Sequence, residues 1–210
     1  MSNDKNCGLF MNTSTPTSSG SFTSSDLETA LSSLRNGEII LFPTDTLWSV
    51  GCDATMPDTV RRLLELAKST DGTKAEVLVH ALPELKELIP HLHPRLETLL
   101  HFHQRPLAIL VDGKGCLPDE ALRPDGEVAV RIVQDPFSNE LIKAFGRPVF
   151  SQFAAVEGST PPGSFGSISS EIIQGCRYVV RHRQADRTPG EPAVMVRFCE
   201  HSDELEFLRE

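Results

Sequence analysis

The stretch Phe-Pro-Thr-Asp-Thr-Leu-Trp, residues 42–48, sets two hydroxyls and a carboxylate where a continuous apolar run ends. Thr44 and Thr46 lie two apart, so in an extended chain both hydroxyls face one side and can clamp one small polar ligand. The other arrangement open to them is a turn in which Thr and Asp satisfy their own backbone. A second chemistry is electrostatic. Arg177, Arg181, Arg183 and Arg187 crowd one short region, either as a local patch for RNA phosphates or as solvated charges on an exposed strand and loop. A third is metal binding, a low alternative reading in which His91, His93, His101 and His103 make the chain a metal-dependent enzyme. Their two H-x-H pairs can in principle gather zinc, yet residues two apart on a helix point about 200° away from each other, so His101 and His103 cannot share one ion. With no H-E-x-x-H signature, surface histidines and no metal are expected.

The elements that must position these groups follow from periodicity. Ser25 or Asp26 caps a helix whose apolar positions Leu27, Ala30, Leu31 and Leu34 recur at helical spacing, and Gly37 stops it. The run from Glu38 to Thr44 is a strand covered on both faces. Helices follow over 57–68, 82–89, 94–103, 135–146 and 169–176, several opening with a proline in the first turn. Further strands are expected over 75–81, 106–113, 127–133, 147–155, 176–182 and 192–200, that over 127–133 with alternating outward and inward residues. Residues 159–167 read as a loop. Interleaved helices and strands, joined at both hairpin and crossover spacings, predict an α/β fold with a mixed-direction sheet layered by helices. In such sheets ligands sit outside the carboxyl ends of strands, and residues 43–46 occupy one such end.

The 210 residues suit one domain, with 39% apolar and 23% charged residues. Net charge −9 gives no global attraction to nucleic acid, so any RNA contact must be local. No apolar run reaches the roughly 18 to 20 residues of a membrane helix. Five cysteines, without a C-x-x-C pair, fit reduced thiols and a cytoplasmic location. The Ser, Thr and Gly-rich residues 1–24 read as a disordered leader before a domain over 25–210.

The order of Phe-Pro-Thr-Asp-Thr-Leu-Trp, Gly-Cys-Asp-Ala-Thr (51–55), a helix ending Leu-Ala-Lys, then Glu-Val-Leu-Val-His, Arg-Pro-Leu-Ala-Ile-Leu, Val-Ala-Val-Arg-Ile and Gly-Arg-Pro-Val-Phe resembles the YrdC-like family over roughly residues 25 to 200. Members are known as threonylcarbamoyl-adenylate synthases and as RNA-binding translation factors. The resemblance implies a YrdC-like single domain, a twisted mixed sheet with helices on both faces and a deep, positively lined central cavity. In active relatives that cavity takes ATP, L-threonine and bicarbonate, releases pyrophosphate, and supplies a product that modifies adenosine beside the anticodon of transfer RNA. Cations and Mg²⁺ would neutralise the triphosphate.

Residue by residue, the resemblance retains Thr44, Thr46, Lys68, Lys74 and Arg131 as ligand-binding positions, with no catalytic residue assigned. Each has a plainer explanation: Lys68 as a cation at a helix C-terminus, Lys74 as surface charge. Arg131, between Val130 and Ile132 in a strand, is harder to explain as solvated charge. Elsewhere the pattern departs. Thr70 stands where the family's Lys-x-Arg has its arginine, Ala108 where it has a threonine, Phe153 and Ala155 where it has Ser-x-Asn, Pro192 and Ala193 where it has Ser-Thr, and Ser49 where it has a glycine. Each lost charged or hydrogen-bonding contact costs about 1.5 to 3 kcal/mol, roughly tenfold to a hundredfold. The expectation is a divergent member that binds nucleotide and structured RNA, double-stranded RNA or tRNA included, with its synthase chemistry lost or redirected. An active synthase with substituted contacts is the alternative.

Overall fold

The computed structural model describes residues 22–69, 72–187, 190–199 and 201–209. Nearly all of the proposed leader, and Thr70, lie outside them. Among the described residues, nine strands form one sheet in the order β7-β1-β2-β6-β3-β5-β4-β8-β9. They are β1 (Ile40–Phe42), β2 (Ser49–Asp53), β3 (Glu76–Val79), β4 (Leu107–Asp112), β5 (Glu127–Ile132), β6 (Val149–Phe153), β7 (Tyr178–Val179), β8 (Val194–Cys199) and β9 (Glu204–Arg209). The pairs β1/β7, β3/β5 and β4/β8 are parallel and the others antiparallel, so the sheet is mixed as expected.

Helices cover both faces. On one, α1 (Ser24–Arg35) and α5 (Pro136–Phe145) bury Ala30, Leu34, Phe137, Leu141 and Ile142 against Ile40, Phe42, Leu78 and Val149. On the other, α2 (Pro57–Leu66), α3 (Leu82–Leu88), α4 (Pro94–Phe102) and α6 (Ser170–Gly175) close the larger core around Val77, Ile109, Val130 and Phe150. Each fully buried Leu or Phe of these layers stabilises by about 1.5 to 3 kcal/mol. The α1/α5 layer does not extend over the far strands, where only a small cluster of Ala108, Leu110, Ala129, Ala193 and Met195 forms the floor.

Three expectations are corrected. Thr23, not Ser25 or Asp26, caps α1, its hydroxyl accepting from the Asp26 N–H. Asp26 is instead buried and accepts from the Tyr178 hydroxyl and the N–H groups of Arg181 and His182, tying the start of the domain to the segment after β7. Strand β5 does not alternate, because helices and the small floor cluster cover both faces and its four central residues are all buried. The strand predicted over 176–182 shrinks to Tyr178–Val179 as the chain turns away. Two strands, β2 and β9, have no counterpart among the expected elements. The loop over 159–167 holds only one short 3-10 turn, Phe165–Ser167.

Candidate functional site

Strand β1 stops at Phe42 because Pro43 cannot continue the ladder. The chain then bends, and Thr44 Oγ1 donates to the Leu47 carbonyl at 2.8 Å while accepting from the Thr46 N–H at 3.1 Å. The two hydroxyls do meet, at 2.9 Å. Since a carbonyl only accepts, the Thr44 proton goes to Leu47, and Thr46 must be the donor between the two hydroxyls. Thr46 Oγ1 in turn accepts from Arg131 Nη2 at 3.4 Å. Neither hydroxyl keeps a proton for a ligand, and both residues are buried.

A strap from the far end of the chain seals this corner. Arg183 stands in the left-handed region at φ 64° and donates from Nη1 to the Thr44 carbonyl and to Asp135, and from Nε to Asp186. Gly190 packs so closely that a Cβ built on it would lie 1.5 Å from the Thr46 carbonyl oxygen. Trp48, itself buried against Phe165 at 5.1 Å between ring centres, closes another side. The space left between them is about 20 Å³, room for one water. Of the two arrangements open to residues 44–46, the self-satisfied turn is the one formed.

Behind the corner runs a chain of charges across the sheet. Register places Leu78, Arg131, Ala108, Met195 and Arg209 side by side on one face, and Glu76 two residues before Leu78 shares it. Arg131 is enclosed; its Nε donates to Glu76 Oε2 at 2.7 Å and its Nη1 pairs with Asp45. Glu76 Oε1 accepts from Arg209 Nη2 at 2.9 Å, and Arg209 Nε donates to the Ala193 carbonyl at 2.6 Å. Two guanidiniums face two carboxylates, so the chain is balanced in charge. Burial opposes ionisation of Glu76, but Arg131 and Arg209 overcome it and hold its carboxyl below the ordinary range. Burial likewise opposes the Arg131 charge, and Glu76 and Asp45 outweigh it.

Beyond Arg209 opens a cavity of about 230 Å³ whose walls include Lys74, Gln152, Phe153, Ala155, Glu157 and Arg209. Phe153 forms a wall rather than a plug. Gln152 is buried and its Oε1 finds no hydrogen-bond partner among the described residues. The substituted positions group here: Phe153 and Ala155 on the wall, Ala108 and Ala193 in the floor beside Arg131 and Arg209. Pro192 is exposed, and Ser49 is buried with its hydroxyl donating to the Leu47 carbonyl at 3.2 Å. This cavity is less positive than the resemblance implies, because Glu76 pairs with Arg209 at its edge.

Other predicted residues lie apart. Lys68 follows α2 in the left-handed region at φ 52° and pairs with Glu171 at 2.9 Å, lining neither space. Arg177, Arg181 and Arg187 are exposed, Arg177 within 3.4 Å of Glu38, whereas Arg183 is drawn inward and leaves the patch. The histidines do not assemble. His93 accepts from the Arg95 N–H at the start of α4 and stacks on Phe198; His103 Nδ1 bonds the Arg105 carbonyl. Among the described residues no group of three or more His, Cys, Asp or Glu is placed to hold a metal ion. The buried Cys52 and half-buried Cys176 are poor nucleophiles: desolvation pushes Cys176 up to about 12 and Cys52 still higher.

Glu76, Gln152 and Arg209 were not singled out from sequence, and Asp45 only as the carboxylate between the two threonines. A signal existed for one pair: Glu76 and Arg131, charges set among apolar residues in two expected strands, call for each other as partners.

An open mixed α/β sheet with helices on both faces and a small cavity beside β6 and the end of β9 defines the class. The chain belongs to the Sua5/YciO/YrdC family, described as telomere recombination, whose model matches residues 32–210. It is 30% identical over 159 residues to a threonylcarbamoyl-AMP synthase of Xanthomonas campestris pv. campestris strain B100, covering 70% of this chain and 81% of that one. A threonylcarbamoyl-AMP synthase of Vibrio parahaemolyticus is 28% identical over 142 residues, 65% of this chain and 75% of the relative. In fold the chain is similar to E. coli YciO, with TM-score 0.76, 18% identity and 88% of both chains covered. It is also similar to P. abyssi Sua5 complexed with L-threonine, with TM-score 0.73 and 20% identity over 87% of this chain and 53% of the other. No helix among the described residues is long and apolar enough to cross a membrane.

Proposed function

We propose that this protein is a divergent member of its family that binds a nucleotide or structured RNA without carrying out the threonylcarbamoyl-AMP synthesis for which its relatives are named. The observation that carries this reading is the Glu76 carboxylate, which holds both Arg131 and Arg209 beside a cavity walled by Phe153 and Ala155. A triphosphate needs uncompensated cations, and of the cavity's cations Lys74 alone lies outside that pairing. The exposed Arg177, Arg181 and Arg187 supply a local basic surface for RNA, tRNA included, on an otherwise acidic chain. We place the domain over residues 25–210 and the protein in the cytoplasm.

The test is pyrophosphate release from ATP with L-threonine, bicarbonate and Mg²⁺, beside binding of adenosine by calorimetry. Binding without release is the expected outcome; release that depends on both threonine and bicarbonate overturns it. That second outcome is the alternative of an active synthase, supported by the 30% identity to the X. campestris enzyme. In that case ATP is the cosubstrate and Mg²⁺ arrives on its phosphates, as is usual for such ions.

A further inference from the structure

We propose that Glu76 is a resident anion: its carboxylate takes the place between Arg131 and Arg209 that a phosphate or carboxylate ligand would otherwise occupy, and so restricts the cavity to the uncharged part of a nucleotide, its base or nucleoside. This deepens, and rests on, the reading of the cavity as a binding site.

Both Glu76 oxygens are engaged, Oε2 by Arg131 at 2.7 Å and Oε1 by Arg209 at 2.9 Å, the two-sided grip that arginines make on a bound anion. Glu76 comes from the middle of the sheet and is buried, so it cannot swing out to make way. An incoming anion at Arg209 would meet a charge already neutralised and a second negative group directly behind it. The rim carries one further charge of each sign, Lys74 and Glu157.

What remains favours a neutral molecule with both donors and acceptors. A guanidinium has five N–H donors, and Glu76 and Ala193 engage two of those on Arg209, leaving others for a neutral acceptor. Gln152, which also lines the cavity, has a buried amide oxygen with no partner among the described residues. Phe153, Val156 and Pro161 add apolar surface. A nucleobase or nucleoside presents that combination, and a volume of about 230 Å³ lies below the roughly 300 to 1,000 Å³ of typical ligand sites.

The experiment titrates inorganic pyrophosphate, and separately adenosine, into the wild-type protein and into Glu76→Gln. Wild type is expected to ignore pyrophosphate at about 1 mM, and Glu76→Gln to gain at least about tenfold in pyrophosphate affinity, the ratio carried by one charged contact. Folded Glu76→Gln that gains nothing overturns the proposal. Should that variant fail to fold by circular dichroism, the wild type decides. Binding of pyrophosphate tighter than about 100 μM that disappears in Arg209→Ala shows an open anion site, and its absence supports a closed one. Failure of wild type to bind adenosine while still excluding pyrophosphate counts against the nucleotide-binding reading and leaves the role of Glu76 standing.

Discussion

Glu76 and Arg131, neighbours across the parallel β3/β5 pair but 55 residues apart in sequence, form an ion pair of 2.7 Å in which both side chains are buried. Removing one member of such a pair strands the other charge away from water, which costs about 3 to 5 kcal/mol. Glu76→Ala is therefore expected to lower unfolding free energy by that amount in urea titration. The double variant Glu76→Leu with Arg131→Met should recover a large part of it, because well-packed apolar residues can replace a buried pair. A loss below about 1 kcal/mol in Glu76→Ala would show that the pair is not enclosed.

The same pair sets an acid limit. Glu76 is held below its ordinary value of 4.5, so on acidification the unfolded chain takes up the proton before the folded one. Its stabilising contribution is complete above about pH 4.5 and is lost as pH falls through the folded-state value. Urea midpoints should drop between about pH 5 and pH 3, and the drop should be shallower in the apolar double variant. Equal slopes in the two proteins would remove Glu76 from the account.

Thr44 holds the bend after β1 through three bonds of its hydroxyl, one to the Leu47 carbonyl and two from the N–H and hydroxyl of Thr46. Thr44→Val keeps the shape and leaves the buried N–H and hydroxyl of Thr46 without their acceptor, at a cost of about 1 to 3 kcal/mol, while the Leu47 carbonyl keeps the Ser49 hydroxyl. Thr44→Ser retains the hydroxyl and should stay within about 1 kcal/mol of wild type by thermal denaturation. Valine and serine variants of equal stability would mean that these bonds are made by water instead.

The arginine cluster divides into two kinds. Arg177 and Arg187 are exposed, and alanine at either should reduce the salt dependence of RNA affinity by about one unit of slope. Arg183 holds the strap, so Arg183→Ala should lower stability by about 1.5 to 3 kcal/mol, nearer the lower figure given its partial exposure, while leaving that slope unchanged. Filter binding at several salt concentrations separates the two. A slope that follows Arg183 but not Arg177 or Arg187 would reverse the assignment.

Local pattern carried most of the elements, because the helical repeats at Leu27, Leu31 and Leu34 and the apolar runs around Ile40, Val77, Ile109 and Val130 answer directly to which face is buried. Strand β2 escaped because Ser49–Asp53 is short and contains a glycine, Gly51, a residue depleted in strands. Strand β9 escaped because Glu204, Glu206 and Arg209 give it the composition of a solvated tail. Thr44, Thr46 and Arg131 were legible as polar groups at a strand end and inside a strand, but their hydrogen-bond partners were not. Their partners sit 86 residues away for Asp45, 55 for Glu76 and, on to Arg209, another 133, and no local spacing reports such pairings. Lys68 illustrates the converse: the residue type suited an anion, but the chain turns and gives it Glu171 instead.

The contact between Gly190 and the Thr46 carbonyl makes the seam of this corner a backbone-to-backbone closure, with no tolerance for even a methyl group. Alanine there acts as a wedge, prising the two segments apart rather than merely crowding them. Since the chain has a single tryptophan, and Trp48 stands at that seam, its emission is a label-free gauge of the closure. Gly190→Ala should shift the fluorescence of the folded protein to longer wavelength, so the corner can be watched opening in real time without any added dye.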